Sequence, residues 1–189
     1  MTTLWLVRHG PTYAKAMIGW TDLPADLSDT AAVARLRATL PNAPIVSSDL
    51  IRAVATADAL QPQTRLPHDA ALREINFGAW EGLTFPQTEA KDRDLLRAYW
   101  ETPGDIAPPD GESWNAVRAR ADTAIDGYIA LGHADLIVVA HFGVILTQVQ
   151  RALGVTSYEA FGHKISNLSV TQIKATPTGW TAPIINHIA

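Results

Sequence analysis

Cysteine is absent from the chain. Disulfide frameworks, thiolate nucleophiles and thiolate-held metals are therefore excluded, and a cytoplasmic location fits. An excess of positive charge is absent too: 15 Lys and Arg stand against 19 Asp and Glu, for a net charge of -4. No nucleic-acid partner is expected from that balance, although a local basic pocket stays open. Long apolar runs are also missing. The first residues, MTTLWLVRHG, carry no basic leader region and their apolar stretch stops at Arg8, while Leu136–Ala140 is far too short to cross a bilayer, so no membrane association is expected. HExxH, HxH and EF-hand patterns do not occur and the aspartates are scattered, so neither a metal nor another cofactor is expected. There is no internal repeat and no low-complexity tract.

What is present is an ordinary globular composition, 189 residues with 47% hydrophobic and 18% charged. It suits one domain over 1–189 with a substantial core. Leu4–Val7 reads as a buried strand that ends abruptly in Arg8-His9-Gly10. Gly10–Ser28, rich in Gly, Pro, Asp and Thr, reads as a long loop. Ser28 or Asp29 caps a helix to about Leu40; Ile45–Ser47 is a short strand; Asp49–Leu60 is a helix with Ser48 or Asp49 near its cap. Pro86–Trp100 is helical in pattern, Thr102–Ser113 must be a loop, and 85–112 together form an excursion from the main fold. A long helix runs from about Ser113 to Leu131 with Gly132 closing it. Leu136–Ala140 is the clearest buried strand, Gly143–Leu153 a helix closed by Gly154, and Leu168–Lys174 and Trp180–Asn186 are late strands. Strands alternating with helices predict an α/β fold with a mostly parallel sheet, whose ligands bind beyond the carboxyl ends of the strands. Two apolar runs end alike, LWLV at Arg8-His9-Gly10 and LIVVA at His141-Phe142-Gly143. If those strands are parallel neighbours, both histidines emerge at one edge.

LVRHGPT resembles the signature of the histidine phosphatase superfamily, the phosphoglycerate mutase-like proteins. Further segments resemble that family in order: GWTDLPADLS (19–28), SSDLIRAVATA (47–57), LREINFGAWEG (72–82), PDGESW (109–114) and IVVAHFGVI (137–145). The resemblance implies a three-layer α/β/α sandwich with the excursion over the site. It also implies a phosphomonoester hydrolase in which His9 is the nucleophile, Glu74 the proton donor and His141 a third catalytic group. Arg8, Arg52 and Thr12 are implied as the phosphate ligands.

Each type suits the chemistry. A phosphomonoester is a dianion whose transfer needs in-line positioning and neutralised peripheral oxygens. Arginine offers planar forked donors that match phosphate. A neutral imidazole can take the phosphoryl group, a protonated one can donate to an oxygen, and a carboxyl can protonate the leaving group and then activate water.

Several positions carry two readings. Lys15 stands where many members have Asn and either meets a second anionic group or is simply solvated. Phe142 follows the second histidine in place of the usual Gly. Leu146 replaces a frequent Arg, and Thr30 and Ala31 a common Gly. Lys15, Trp20, Ser113 and Phe142 are candidates for the substrate pocket. For Trp20, Trp100 and Trp114 the alternative is a core position, for Glu112-Ser113 a helix cap, and for Thr12 local turn bonding. Glu81 is expected to hold the turn around Trp80 and Gly82. His68, His133, His163 and His187 are expected at structural or surface positions. Chain length and INFGAWEG resemble the phosphatase branch, and WETPGDIAPPDGES resembles α-ribazole phosphatases, which makes α-ribazole phosphate a substrate lead. A mutase-type phosphotransferase and a non-catalytic phosphate-binding module are the alternatives.

Overall fold

Strand β1, Thr2–Arg8, places Leu4, Leu6 and Val7 in the interior, and β3, Asp135–Ala140, is buried along nearly its whole length. A computed structural model describes the chain from residue 1 to residue 189. In β3 successive side chains serve opposite faces of the sheet. Leu136, Val138 and Ala140 pack with one helical layer and Ile137 and Val139 with the other, which is why the segment is apolar at every position. On the first face lie α4 (Trp114–Ala130) and α5 (Phe142–Leu153), through Val117, Ala121, Ile125, Val144 and Val149. On the second lie α1 (Thr30–Thr39) and α2 (Ile51–Ala59), through Leu36, Ala53 and Ala57. This is the three-layer α/β/α sandwich expected from the sequence.

With β2 (Ile45–Ser47), β4 (Val170–Thr176) and β5 (Gly179–His187) the sheet has the order β2-β3-β1-β4-β5. It is mixed. The central pairs β2–β3 and β3–β1 are parallel, while β1–β4 and β4–β5 are antiparallel, so β4 alone points against the other four strands. Pro183 sits in β5, the edge strand, where its missing N–H breaks no central ladder.

The helix boundaries follow their caps. Asp29 caps α1 by accepting from the Ala32 N–H, Ser113 caps α4, and Gly154 ends α5 in the left-handed region at φ 67. The expectation for α2 needs correction. It starts at Ile51, not Asp49, and its N-cap Leu50 offers no side chain. Asp22, far away in the long loop, accepts the Ile51 N–H at 2.8 Å instead. The excursion contains α3 (Phe85–Glu101), opened by a Thr84/Gln87 capping box and kinked at Asp92, which accepts from Trp80 Nε1 at 2.8 Å. Leu96 and Tyr99 of α3 join the same core as Trp80 and Trp114. Helix α6, Ser157–Phe161, was not expected, although its Thr156/Glu159 capping box is written in the sequence. No helix is long and apolar enough to cross a membrane.

Candidate active site

Register brings the two histidines together. In the parallel β1–β3 pair Arg8 lies opposite Ala140, so His9 and His141 leave the sheet side by side, with ring centroids 5.0 Å apart. His9 Nδ1 lies 2.6 Å from the carbonyl of Gly10. That oxygen can only accept, so Nδ1 carries the proton and Nε2 is left with its lone pair. The His9 backbone is tied as well, its N–H donating to Ala140 O at 3.1 Å and its carbonyl accepting from Asn167 Nδ2 at 2.8 Å.

Arg52, only 1% exposed, enters from α2. It donates to the carbonyls of Gly19 at 2.6 Å and Thr21 at 3.0 Å in the long loop. Thr56, one turn on, accepts from the Gly10 N–H at 2.9 Å and donates to Arg52 O at 2.7 Å, which locks the signature turn to α2. Arg8 donates to the Ile165 carbonyl at 2.6 Å. Glu74 is buried, and its Oε1 accepts from the Ile75 N–H at 3.0 Å and from the Gly143 N–H, at the start of α5, at 2.9 Å. A Cβ at position 143 would stand 2.5 Å from that same oxygen, so glycine is what lets the carboxyl approach the helix.

Both ring nitrogens of the fully buried His141, and Nε of Arg8, have no protein partner. Native interiors rarely leave polar atoms unpaired unless a ligand, water or ion meets them. Burial, then the charges of Arg52 and Arg8, push His9 down to about 3. Burial first, then the neighbouring His9 and arginines, holds His141 well below its usual range. Glu74 is raised, chiefly by burial, against the pull of its backbone donors and the two arginines. These surroundings favour two neutral imidazoles and shift Glu74 toward its protonated form.

These shifts fix a pH dependence. Below the ordinary histidine value of about 6.5 the unfolded chain binds more protons at both histidines than the folded one, for His9 down to about pH 3, so their contribution falls as the pH falls. Glu74 has the opposite sign, since its folded form holds a proton that the unfolded chain has lost. Acidification below about pH 6.5 therefore weakens the contribution of the two histidines, and Glu74 offsets part of that loss only above its ordinary value of about 4.5. A sulfate bound beside His141, a dianion throughout this range, is expected to stabilise its protonated form. Thermal unfolding is therefore expected to show a larger stabilisation by sulfate at pH 5 than at pH 7. Equal stabilisation at both would rule out a proton taken up with the anion.

The sequence pattern of the histidine phosphatase superfamily (branch 1) matches residues 4–187. The chain belongs to the histidine phosphatase superfamily. The family match and its phosphatase-named relatives support a phosphatase enzyme, the class expected from the sequence. The chain is 35% identical to glucosyl-3-phosphoglycerate phosphatase of Mycobacterium tuberculosis, over 90% of this chain and 84% of that protein. YhfR of Bacillus stearothermophilus superposes with a TM-score of 0.89 at 26% identity, each chain covered completely. The α-ribazole phosphatase of Shigella flexneri shares the fold with a TM-score of 0.84 at 21% identity, over 100% of this chain and 98% of that one.

Within this histidine phosphatase the other candidates take varied places. Trp20 is 38% exposed and its Nε1 donates to the Glu74 carbonyl at 2.9 Å, while Arg73 lies over its ring at 4.9 Å. It is therefore beside the Glu74 segment and not in the core; Trp114 is a core residue, donating to Gln150 Oε1 at 2.7 Å, and Trp100 meets Tyr99 and Phe161 edge-to-face. Phe142 is half-buried with the Arg8 guanidinium 5.5 Å from its ring. Leu146 is fully buried in the core. Thr12 is half-buried and Lys15 exposed. Ser113 accepts from the Ala116 N–H at 3.1 Å, the helix-cap reading.

Glu81 does more than hold its own turn. Besides the Phe77 N–H it takes the N–H groups of Gly19, Trp20 and Thr21 and the Thr21 hydroxyl, so it shapes the loop whose carbonyls receive Arg52. Sequence reasoning missed Asn167, Thr56 and Arg120. Thr56 lies within the SSDLIRAVATA segment one turn after Arg52, a spacing that could have revealed it; Asn167 and Arg120 lie in no motif.

Proposed function

We propose that the chain hydrolyses a small phosphomonoester by way of a phosphorylated His9, without a metal. The observation that carries this is the convergence of a free His9 Nε2 with unpartnered nitrogens of His141 and Arg8, beside Arg52 and a buried Glu74 whose carboxyl is shifted toward its protonated form. Nε2 of His9 attacks phosphorus in line, and the bond to the leaving oxygen breaks. Arg8, Arg52 and His141, which gains its proton as the dianion enters, neutralise the peripheral oxygens, with Thr12 adding a hydroxyl. Glu74 gives its proton to the departing alkoxide, and its carboxylate then takes a proton from the water that cleaves the N–P bond. Alcohol and inorganic phosphate leave, and His9 and Glu74 return to their starting forms.

The substrate class is a phosphorylated small metabolite. The name of the 35%-identical relative puts glucosyl-3-phosphoglycerate beside α-ribazole phosphate among the compounds to try. No His, Asp or Glu trio is gathered as a metal-holding group. Phosphate release in the presence of EDTA is expected from p-nitrophenyl phosphate and, faster, from one of glucosyl-3-phosphoglycerate, α-ribazole phosphate or 3-phosphoglycerate. Activity lost to EDTA and restored by added metal would reject the metal-free scheme. Conversion of 3-phosphoglycerate into an isomer without phosphate release would make the protein a mutase, and binding without turnover a binding module.

A further inference from the structure

Glu74 is held from behind by a polar clamp. Arg120, on the second turn of α4, uses all five of its N–H donors. Nε and Nη2 form a two-pronged pair with Glu112, at 2.7 and 2.8 Å. The second Nη2 proton goes to the Glu74 carbonyl at 2.8 Å, and the two Nη1 protons to the carbonyls of Arg73 at 2.7 Å and Ala71 at 2.9 Å. On the other side Glu112 Oε2 accepts the Asn76 N–H at 2.9 Å, and the Glu112 N–H donates to the Asn76 carbonyl at 2.8 Å. A further backbone bond, Ala79 N–H to Pro109 O at 2.8 Å, laces the two segments together. The backbones touch without intervening side chains: a Cβ on Gly111 would stand 2.6 Å from the Asn76 carbonyl. Main-chain groups at 71, 73, 74 and 76 are thus fixed by one ion pair, at positions flanking a side chain whose own oxygen is aimed by the Ile75 and Gly143 N–H groups.

We propose that Arg120 and Glu112 are positioning residues for proton transfer by Glu74. The inference rests on the reading of Glu74 as the leaving-group acid. The physical reason is geometric. A proton donor works only within hydrogen-bond reach of the leaving oxygen, and a displacement of about 1 Å can cost about 100-fold in rate. A guanidinium meets three carbonyls and a carboxylate at once in one plane, whereas an ammonium on the same stem cannot.

The test is Arg120→Lys and Glu112→Gln, read as kcat/KM on alkyl phosphates against p-nitrophenyl phosphate. Lysine keeps the charge, and glutamine keeps an acceptor for Asn76, so both variants are suited to fold. The leaving group of p-nitrophenyl phosphate departs without a proton, so only alkyl substrates feel a misplaced acid. The expected result is a loss of about 10- to 100-fold on alkyl phosphates with p-nitrophenyl phosphate within about 3-fold. Arg151→Lys, which weakens ion pairs to Asp122 and Asp126 on α4, is the control for lost stability alone and should show no such selectivity. An equal fall on both substrates, or no change on either, overturns the proposal. Glu74→Gln is measured alongside. If it is selective for alkyl phosphates and the clamp variants are not, the clamp falls alone; if it is not selective, the acid role of Glu74 and the clamp fall together.

Discussion

His9→Ala is expected to lower kcat by about 10,000-fold or more while the domain still folds, since removing a covalent nucleophile leaves only binding and electrostatics. The fold should survive because His9, though only 6% exposed, belongs to neither apolar cluster. What the substitution removes is one donor to the Gly10 carbonyl. It also removes an imidazole that burial and two arginines already hold far from its ordinary titration. The cost of an unmet buried carbonyl is about 1–3 kcal/mol, and His9→Asn, which can restore a donor there, should melt nearer the parent while staying inactive. A rapid quench with labelled substrate should yield a protein-bound phosphoryl group that survives alkali and is lost in acid, as a phosphoramidate is. Label retained in His9→Ala, or activity near the parent's, would show that another side chain takes the phosphoryl group.

Glu74→Gln should have the second largest effect, and its signature is selectivity. Glutamine can still accept from Ile75 and Gly143 through its carbonyl oxygen, and it removes the burial penalty on an ionisable group, so stability should hold or rise. What is lost is the proton. Loss of general acid catalysis is expected to reduce kcat/KM for alkyl phosphates by about 100- to 10,000-fold. For p-nitrophenyl phosphate kcat/KM, which reports only the steps up to phosphoenzyme formation, should fall by less than about 10-fold. Its kcat should fall further, because the same carboxylate activates the water of the second step. A burst of p-nitrophenol followed by a slow steady rate would follow from that. Equal losses in kcat/KM for both substrate types would remove Glu74 from the first step.

The two histidines proposed to act were readable because the apolar pattern stops where they begin. LWLV and LIVVA are continuous because both faces of a central strand are covered; the first reaches His9 after Arg8 and the second runs straight into His141. Caps at Asp29, Ser113 and Gly154 were readable for the same local reason. The start of α2 was not, since the Ile51 N–H is met by Asp22 from a loop 29 residues earlier. Glu81 was read as a local turn holder because its neighbours in sequence suggest that, whereas four of its five bonds go to residues 19–21. Arg120 was invisible. Arg118 and Arg120 look equivalent in NAVRARAD, and only the placement of α4 against the Glu74 segment turns one toward three carbonyls and leaves the other paired with Asp122.

By itself the sequence determined the class of fold, most element boundaries, the family and the residues proposed to carry the chemistry. Those depend on local periodicity, capping and short motifs, all written within a few neighbouring residues. Tertiary structure alone decided that His9 and His141 stand in register, that β4 opposes the other strands, and that two neutral imidazoles lie with two arginines and a carboxyl that burial shifts toward its protonated form. It also decided that loop carbonyls, Glu81 and the Arg120–Glu112 pair hold those groups in place. Each of these depends on burial and on partners tens of residues apart, and protonation state and aim are properties of such surroundings, not of the residue types that occupy them.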